Sequence, residues 1–571
     1  MQARLLPILL VFGLILSAAS VPAQKIIGEL ELKDFPTDRN IYPFFEFDRF
    51  GTTMVLDHEP ALRLKKGEFI YLWQPERQPA RKRMLSRYNL LLEEEWSTEV
   101  ELSWEEDILQ MLQSDHYVVI LTHHFKSIAS NHEVRYRLFD LDDGEMVEDS
   151  LLFTYKGRSD RELVSSLSPD SSRVLLYYYQ REKNNKGNFF YDRVSPDGRA
   201  HYRANRFEKA TVFVYDLELQ RLAKKEIELG DKKMIHLDAQ IDNEGNVYFL
   251  SFSKPQNLQA TCLELESGKT HQLVYKDFTR FRDLFDPYEN HFPATIGANK
   301  RLYVSHAERV TKGKYRGVKA WQIVNFDFDK KEIDLSRRAD VNSTLMVRVE
   351  KKRKQFGLRP MRRFDQFLIK GLEEMPDGSL WLMTQKYERR PLSAYANNLS
   401  QVVASEHSIY ELVMYEFAPS GRIHQAIIVP SSQTSRSSAE KAGDFYSMYF
   451  DKSRLEVCLL TREPSGEKLR GPERIYYRKV DLVKAEVSER KQIYDGVRRN
   501  QFFIRPYTIW HNQDLVSFMM IDGEEGEPFL VSINLAGEKD DEEPKERRKR
   551  LRQERKEKRR LEKIEAKAGN G

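Results

Sequence analysis

Cysteine is nearly absent: Cys262 and Cys458 are the two in 571 residues, and no Cys-x-x-Cys occurs. That excludes a disulfide framework and thiolate zinc ligation, so packing must supply the stability. Each cysteine lies in an apolar run that reads as a strand, and the two either pair across 196 residues or remain separate buried thiols. An excess of one charge is also missing. With 92 basic against 88 acidic side chains, 40% hydrophobic and 32% charged residues, the composition excludes both a disordered polymer and a membrane bundle. Past Leu16 no apolar run approaches the ~18 residues of a membrane-spanning helix, so an integral membrane protein is not expected. Between Gln24 and Ala536 there is almost no sustained 3.6-residue apolar period, which argues against a helical fold.

Catalytic signatures are lacking as well. There is no Gly-x-Ser-x-Gly nucleophile turn, no Gly-x-Gly-x-x-Gly and no Gly-x-x-x-x-Gly-Lys-Ser/Thr. His123 and His124 are neighbours on a strand and face opposite sides, so they cannot share one ion. Asp140-Leu-Asp142-Asp143-Gly144-Glu145 has its glycine one place early for a calcium loop and Leu151 where the closing glutamate belongs, so it reads as a hairpin turn. No cofactor and no metal are expected.

What is present begins with Arg4 and the apolar run Leu5 to Leu16, followed by Val21-Pro22-Ala23. This reads as a secretory signal peptide cleaved after Ala23, and it predicts a periplasmic or extracellular protein. The run is too short to cross about 30 Å of hydrocarbon. No cysteine follows it, so lipid attachment is not expected.

From about residue 60 to 536 one pattern recurs: an apolar strand, a short Asp/Asn/Gly turn, a strongly apolar strand, a variable polar loop and a strand ending in a tight hairpin. Ser168-Pro169-Asp170 before Val174-Leu175-Leu176, Asp242-Asn243-Glu244-Gly245-Asn246 before Val247-Tyr248, and Pro376-Asp377-Gly378 before Leu380-Trp381 are clear instances. Units fall near 61–104, 108–153, 163–229, 234–275, 292–337, 366–430, 445–495 and 503–536, giving seven or eight sheets. The last unit is a strand short, and Lys25 to Leu32 supplies it if the chain start pairs with the chain end. Such closure hides exposed edges. The Ser-Pro-Asp-x-x-x-Val-Leu and Asp-x-x-Gly-x-Val-Tyr phrases resemble the strand-turn-strand element of β-propellers of the TolB-like and NHL-like kind. The Gly-His to Trp-Asp spacing, the kelch Gly-Gly doublet and the sialidase box are missing, so the resemblance implies a fold and no specific family. The expectation is an all-β chain: a signal peptide over 1–23, a single propeller of seven or eight blades over 24–537, and a charged, acidic-then-basic tail over 538–571, helical or disordered. A β-sandwich array is the competing fold.

The tail holds an acidic knot, Glu538 to Glu543, and then Lys545 to Lys567 with 13 Lys/Arg against 5 Glu. It reads as a solvated helix, acting either as a tether to an anionic envelope polymer or as a solubilising extension. Within the body, charge gathers where length varies most. Loop 75–88 is net +4, loop 182–209 net +3, loop 308–318 net +3, and the connection from Arg348 to Arg363 net +7. In a propeller these would open on one face. Arg81, Lys82, Arg83, Lys312, Lys314, Arg316, Lys351, Lys352 and Arg353 are the candidate residues for an anionic ligand or a protein partner. Tyr177 to Tyr179 and Phe189 to Tyr191 either stack beside that face or pack between blades. Nucleic acid is not expected of an exported chain.

The leading expectation is therefore a non-enzymatic binding or scaffold propeller. One alternative is a carbohydrate-active enzyme, a hydrolase or lyase, using carboxylates in the propeller funnel; Asp238, Asp242 and Asp365, near strand starts, are candidates for a hydrolytic pair, which needs two carboxylates about 5–10 Å apart, or else turn and edge residues. The other is an envelope component held by its tail. A propeller-bearing peptidase is not expected, because 36 residues after Leu535 leave no room for an α/β catalytic domain.

Overall fold

The structure is a computed structural model that describes residues 25–31, 45–47, 53–55, 61–64, 68–73, 82–103, 106–126, 131–156, 163–180, 209–229, 234–253, 257–276, 294–310, 317–341, 343–355, 367–391, 405–431, 433–437, 446–464, 473–494, 501–522 and 528–535. The leader, the tail and loop 182–208 lie outside the described residues.

The second and third strands of each sheet show why the chain folds as it does. Lys209–Tyr215 and Asn257–Leu263 are buried at every position after the first. Strands covered on both faces carry continuous apolar runs, whereas Thr270–Tyr275, at an outer edge, alternates exposed and half-buried residues. A sheet that is apolar on both faces needs a neighbour on each.

Among the described residues there are eight antiparallel sheets of four or five strands, each built on a four-strand path that in seven of them runs in chain order. The first comprises Ala61–Arg63, Phe69–Trp73, Lys82–Tyr88 and Glu94–Glu101; the second Glu106–Gln113, Tyr117–Lys126, Asn131–Asp140 and Met146–Lys156. The third to seventh span 163–228, 234–275, 294–340, 367–437 and 446–494. In the fifth, sixth and seventh the outer strand is split into two pieces. The eighth is Gln501–Asn512, Leu515–Asp522 and Pro528–Asn534, completed by Lys25–Glu31, which pairs antiparallel with Pro528–Asn534. The closure expected from the sequence is therefore present. A short hairpin, Phe45–Phe47 with Thr53–Val55, stands apart from the sheets.

Consecutive sheets pack face to face, and the inner strand of the eighth, Gln501–Asn512, packs against that of the first, Ala61–Arg63. The core is a series of seams between sheets. Ile70, Leu85 and Trp96 meet Met111 and Phe139 in one; Tyr303 and Trp321 meet Tyr415 and Phe417 in another, where Trp321 Nε1 donates to the Tyr415 hydroxyl at 3.2 Å. Each fully buried large side chain contributes about 1.5–3 kcal/mol.

In such a meander the turns joining first to second and third to fourth strands share one face, here called lower; all other connections open on the upper face. The lower turns are short and capped by Asp or Asn. Asp242 Oδ1 accepts the amides of Glu244 and Asn246 at 3.0 and 2.8 Å, and Asp451 Oδ1 those of Ser453 and Arg454 at 3.0 and 3.1 Å. The repeated Asp phrases of the sequence are these turns. The 140–145 segment is one of them: Asp140 Oδ1 accepts the Asp142 amide at 2.8 Å, and Gly144 holds a φ of 75° with its Cα against the Trp96 ring. Cys262 and Cys458 are separate, free and buried; burial pushes their thiols up to about 12 and about 11.

Deleting residues 1–31 should leave the other seven sheets intact but expose the edge of Pro528–Asn534. Hydrogen exchange should then accelerate in the eighth sheet first, and uniform exchange across all sheets would contradict this. His306 supplies a pH test. Burial holds its imidazole down to about 4, with the nearby Glu308 carboxylate opposing and Arg338 assisting. Above about pH 6.5 both folded and unfolded chains keep it neutral. As pH falls from there towards 4 the unfolded chain gains a proton that the folded chain refuses, so stability declines over that window. Urea midpoints at pH 7 and pH 5 should differ less for His306→Gln than for the parent.

Candidate functional site

The sequence-derived basic residues do not gather into one site among the described residues. Arg81, Lys312, Lys314 and Arg316 lie outside them. Lys82 and Arg83 belong to the strand Lys82–Tyr88, and Arg83 is buried. The connection from Arg348 is not a loop on the upper face but opens with a helix, Ser343–Gln355. Its Leu345 and Val349 enter the seam between fifth and sixth sheets, which lays it along the outer rim. Arg353 points inward and pairs with Glu411, the two side chains 4% and 1% exposed, and lies over the Tyr410 ring. Its charge is spent inside the fold. Lys351 is exposed, beside a groove of about 530 Å³ that it lines with Arg348, Ala426 and Glu486; of the Lys352 side chain nothing is described. Asp242, one of the carboxylate candidates, is consumed by its turn and by the Tyr248 hydroxyl at 2.8 Å. The Asp238 side chain and Asp365 lie outside the described residues. Tyr177 packs edge-on against Phe249 between the third and fourth sheets.

A different cluster forms at the upper end of the second sheet. Glu106 opens the innermost strand, where the chain enters the sheet from above. Thr122 Oγ1 donates to its Oε1 at 2.6 Å, the Ser103 amide to Oε2 at 3.0 Å, and Arg137 Nη2 reaches Oε1 at 2.9 Å. Burial alone would raise the Glu106 carboxyl; these donors outweigh it and hold the carboxyl below the usual carboxylate range. Glu106 is thus a fixed anion, unable to trade protons near neutrality.

Asp107 is one residue on and faces the other side of the sheet, towards the third. It is exposed, and its cross-strand partner is His123. His123 Nε2 lies 2.8 Å from His132 Nδ1 and 3.4 Å from the Tyr155 hydroxyl. The rings stack in series: His123 on His132 with centroids 5.0 Å apart, His132 on Tyr155 at 4.3 Å, Tyr155 on Tyr178 of the third sheet at 4.2 Å. His123, His132 and Tyr155 are all buried. Two imidazoles and a phenol in hydrogen-bonded series can take up a proton at one group and return it at another. Among the described residues no group of three or more His, Cys, Asp or Glu could hold a metal ion.

Sequence reasoning placed His123 correctly against His124 but missed His132. The pairing of Tyr117–Lys126 with Asn131–Asp140 sets His132 two pairs from His123 on the adjoining strand, on the same face, a relation that appears only once the register of the two strands is known.

No protein-family model matches the chain, and no curated protein matches its sequence. Solved structures do. A post-proline cleaving enzyme from Rickettsia typhi is 9% identical over 81% of this chain and 57% of its own, with a TM-score of 0.35. The β-propeller domain of the trilobed protease from Pyrococcus furiosus is 10% identical over 76% and 96%, TM-score 0.32. Successive four-stranded meanders packed face to face decide the matter. The chain is a β-propeller. A third neighbour is the polysaccharide lyase Uly1, 10% identical over 90% and 100%, TM-score 0.34. The propeller spans little more than half the length of the prolyl endopeptidases it resembles.

These neighbours correct the leading expectation of function. They are mostly peptidase propellers, with a polysaccharide lyase, where a non-enzymatic scaffold was expected. That expectation is withdrawn. Among the described residues no helix is long and apolar enough to cross a membrane.

If Arg353 is structural, Arg353→Met should lower unfolding stability by about 3–5 kcal/mol, because it strands a buried carboxylate; Arg353→Met with Glu411→Met should recover much of the loss. Denaturant titration of the two variants distinguishes this from a surface role, in which neither would matter.

Proposed function

We propose that the eight sheets are the eight blades of one closed ring, and that the ring is an exported enzyme acting on uronic-acid polysaccharides as a lyase, with its reaction centre at the upper end of the second blade. The observation that carries the reading is the His123–His132–Tyr155 series behind the exposed carboxylate of Asp107 on an innermost strand.

The chemistry separates the two carbohydrate-active options. A hydrolase needs two carboxylates facing one substrate. Glu106 and Asp107 face opposite sides, and Glu106 is locked to Arg137. Elimination needs one base and one acid. In a uronic acid unit the hydrogen on C5 is acidified by the adjoining carboxylate. His123 takes that proton, the electron pair of the C5–H bond becomes the C4–C5 double bond, and the C4–O bond breaks. Tyr155 gives its proton to the departing oxygen and recovers one from His123 across their 3.4 Å contact. His132 fixes the His123 tautomer, and Asp107 meets the substrate at the mouth. Export, expected from the leader, would place the enzyme where such polymers occur.

The experiment is incubation of the full chain with uronic-acid polymers and a neutral polymer, reading the ultraviolet absorbance of the unsaturated product and, separately, new reducing ends. The expected result is unsaturated product from the acidic polymers alone. His123→Gln and Tyr155→Phe should each slow it about 10²–10⁴-fold with little change in melting temperature. Reducing ends without unsaturation would mean hydrolysis, and no product from any polymer would end the reading.

A further inference from the structure

The two most exposed of the large apolar side chains described are Val483 and Val347, at 69% and 66%, and both flank the groove beside Lys351. Its floor is the outer strand of the sixth sheet, Ile423–Val429, through Ala426, Ile427 and Ile428. One wall is the helix Ser343–Gln355, through Arg348 and Lys351; the other is Ala485, Glu486 and Val487 of the seventh sheet. Val347 stands one helical turn before Lys351, and Val483 lies in the lower turn that leads to Ala485. The helical wall is basic. Lys351 and Lys354 are exposed and neighbours on the helix surface, and Arg348, one turn earlier, donates from Nη2 to the Ala426 carbonyl at 2.8 Å. Among the described residues that line the groove Glu486 is the one acid, and the nearby Lys484 answers Asp481 at 3.1 Å.

We propose that this groove is the docking site of the chain's own acidic segment, residues 538–543. Charge and reach both select it. The segment carries Glu538, Asp540, Asp541, Glu542 and Glu543 with one cation, Lys539, and so complements Arg348, Lys351 and Lys354. Leu535 packs in the seam between the seventh and eighth sheets, and its amide donates to the Asp514 carbonyl in the lower turn of the eighth. The chain therefore leaves the fold at the lower end of that seam. The groove opens on the far side of the seventh sheet, and packed sheets stand about 10 Å apart. The five carboxylates follow Leu535 by three to eight residues, a span of about 10–28 Å when extended. Each exposed ion pair contributes only about 0.2–1 kcal/mol. Attachment to the same chain supplies an effective concentration on the order of millimolar, so several such pairs together suffice. The docked segment also covers Val347 and Val483, which nothing else described shields from water. The inference does not rest on the proposed reaction, whose centre is on the second sheet.

A carbodiimide joins a carboxylate to a lysine only where the two touch. Applied to the full chain, as an equal mixture of unlabelled and nitrogen-15-labelled molecules, it should link residues 538–543 to Lys351 and Lys354 within single chains. Salt at about 0.5 M should remove most of these links. Lys351→Glu, at an exposed position, should reduce the links at Lys354 about fivefold with an unchanged melting temperature. Links spread evenly over the lysines of other sheets, or links joining a labelled chain to an unlabelled one, would overturn the inference. So would links at Lys354 that Lys351→Glu leaves as they were. Because the readout is a covalent link, its failure is separate from any failure of the lyase reading, which is read from product.

Discussion

Everything in this molecule depends on sheets that are apolar on both faces. A sheet with one apolar face can be satisfied by a single partner, and two such sheets make a sandwich. When Val174–Gln180 or Val247–Ser253 must be covered from both sides, each covering sheet is left with the same need, and the series ends only when the last sheet meets the first. The pairing of Lys25–Glu31 with Pro528–Asn534 serves that end. It completes the one sheet that the chain would otherwise leave a strand short.

Much of this was legible in the sequence, because burial on two faces writes itself as uninterrupted apolar runs and tight reversals write themselves as Asp and Gly at fixed places. Val174-Leu175-Leu176 after Ser168-Pro169-Asp170 gives both marks at once. The helix Ser343–Gln355 was not legible. Its run of Lys and Arg looked like a solvated loop, but Leu345, Val349 and Arg353 recur at helical spacing and face inward together. Charge was counted there without asking which positions share a side. The same limit applied at the His pair: two residues on neighbouring strands meet only when register is known, and register depends on turn length more than on residue type.

The candidate site also shows how neighbouring residues acquire opposite tasks. Glu106 and Asp107 are chemically alike and adjacent. The pleat sends one into the seam with the first sheet, where Arg137 and Thr122 immobilise its charge, and leaves the other exposed on the side of the stacked rings. Glu106 contributes rigidity at the point where the chain enters the second sheet, and that rigidity sets the position of the residue after it.

The closing strand has a mechanical side. Lys25 lies opposite Asn534, so the segments leading away from both leave the same end of one ladder. Tension between them would load the hydrogen bonds of that ladder one after another, as in opening a zip, and not all together as in shear. A fold held together by its seams would thus yield early to a pull from those two points, and an attachment meant to bear load would be better made elsewhere on the fold.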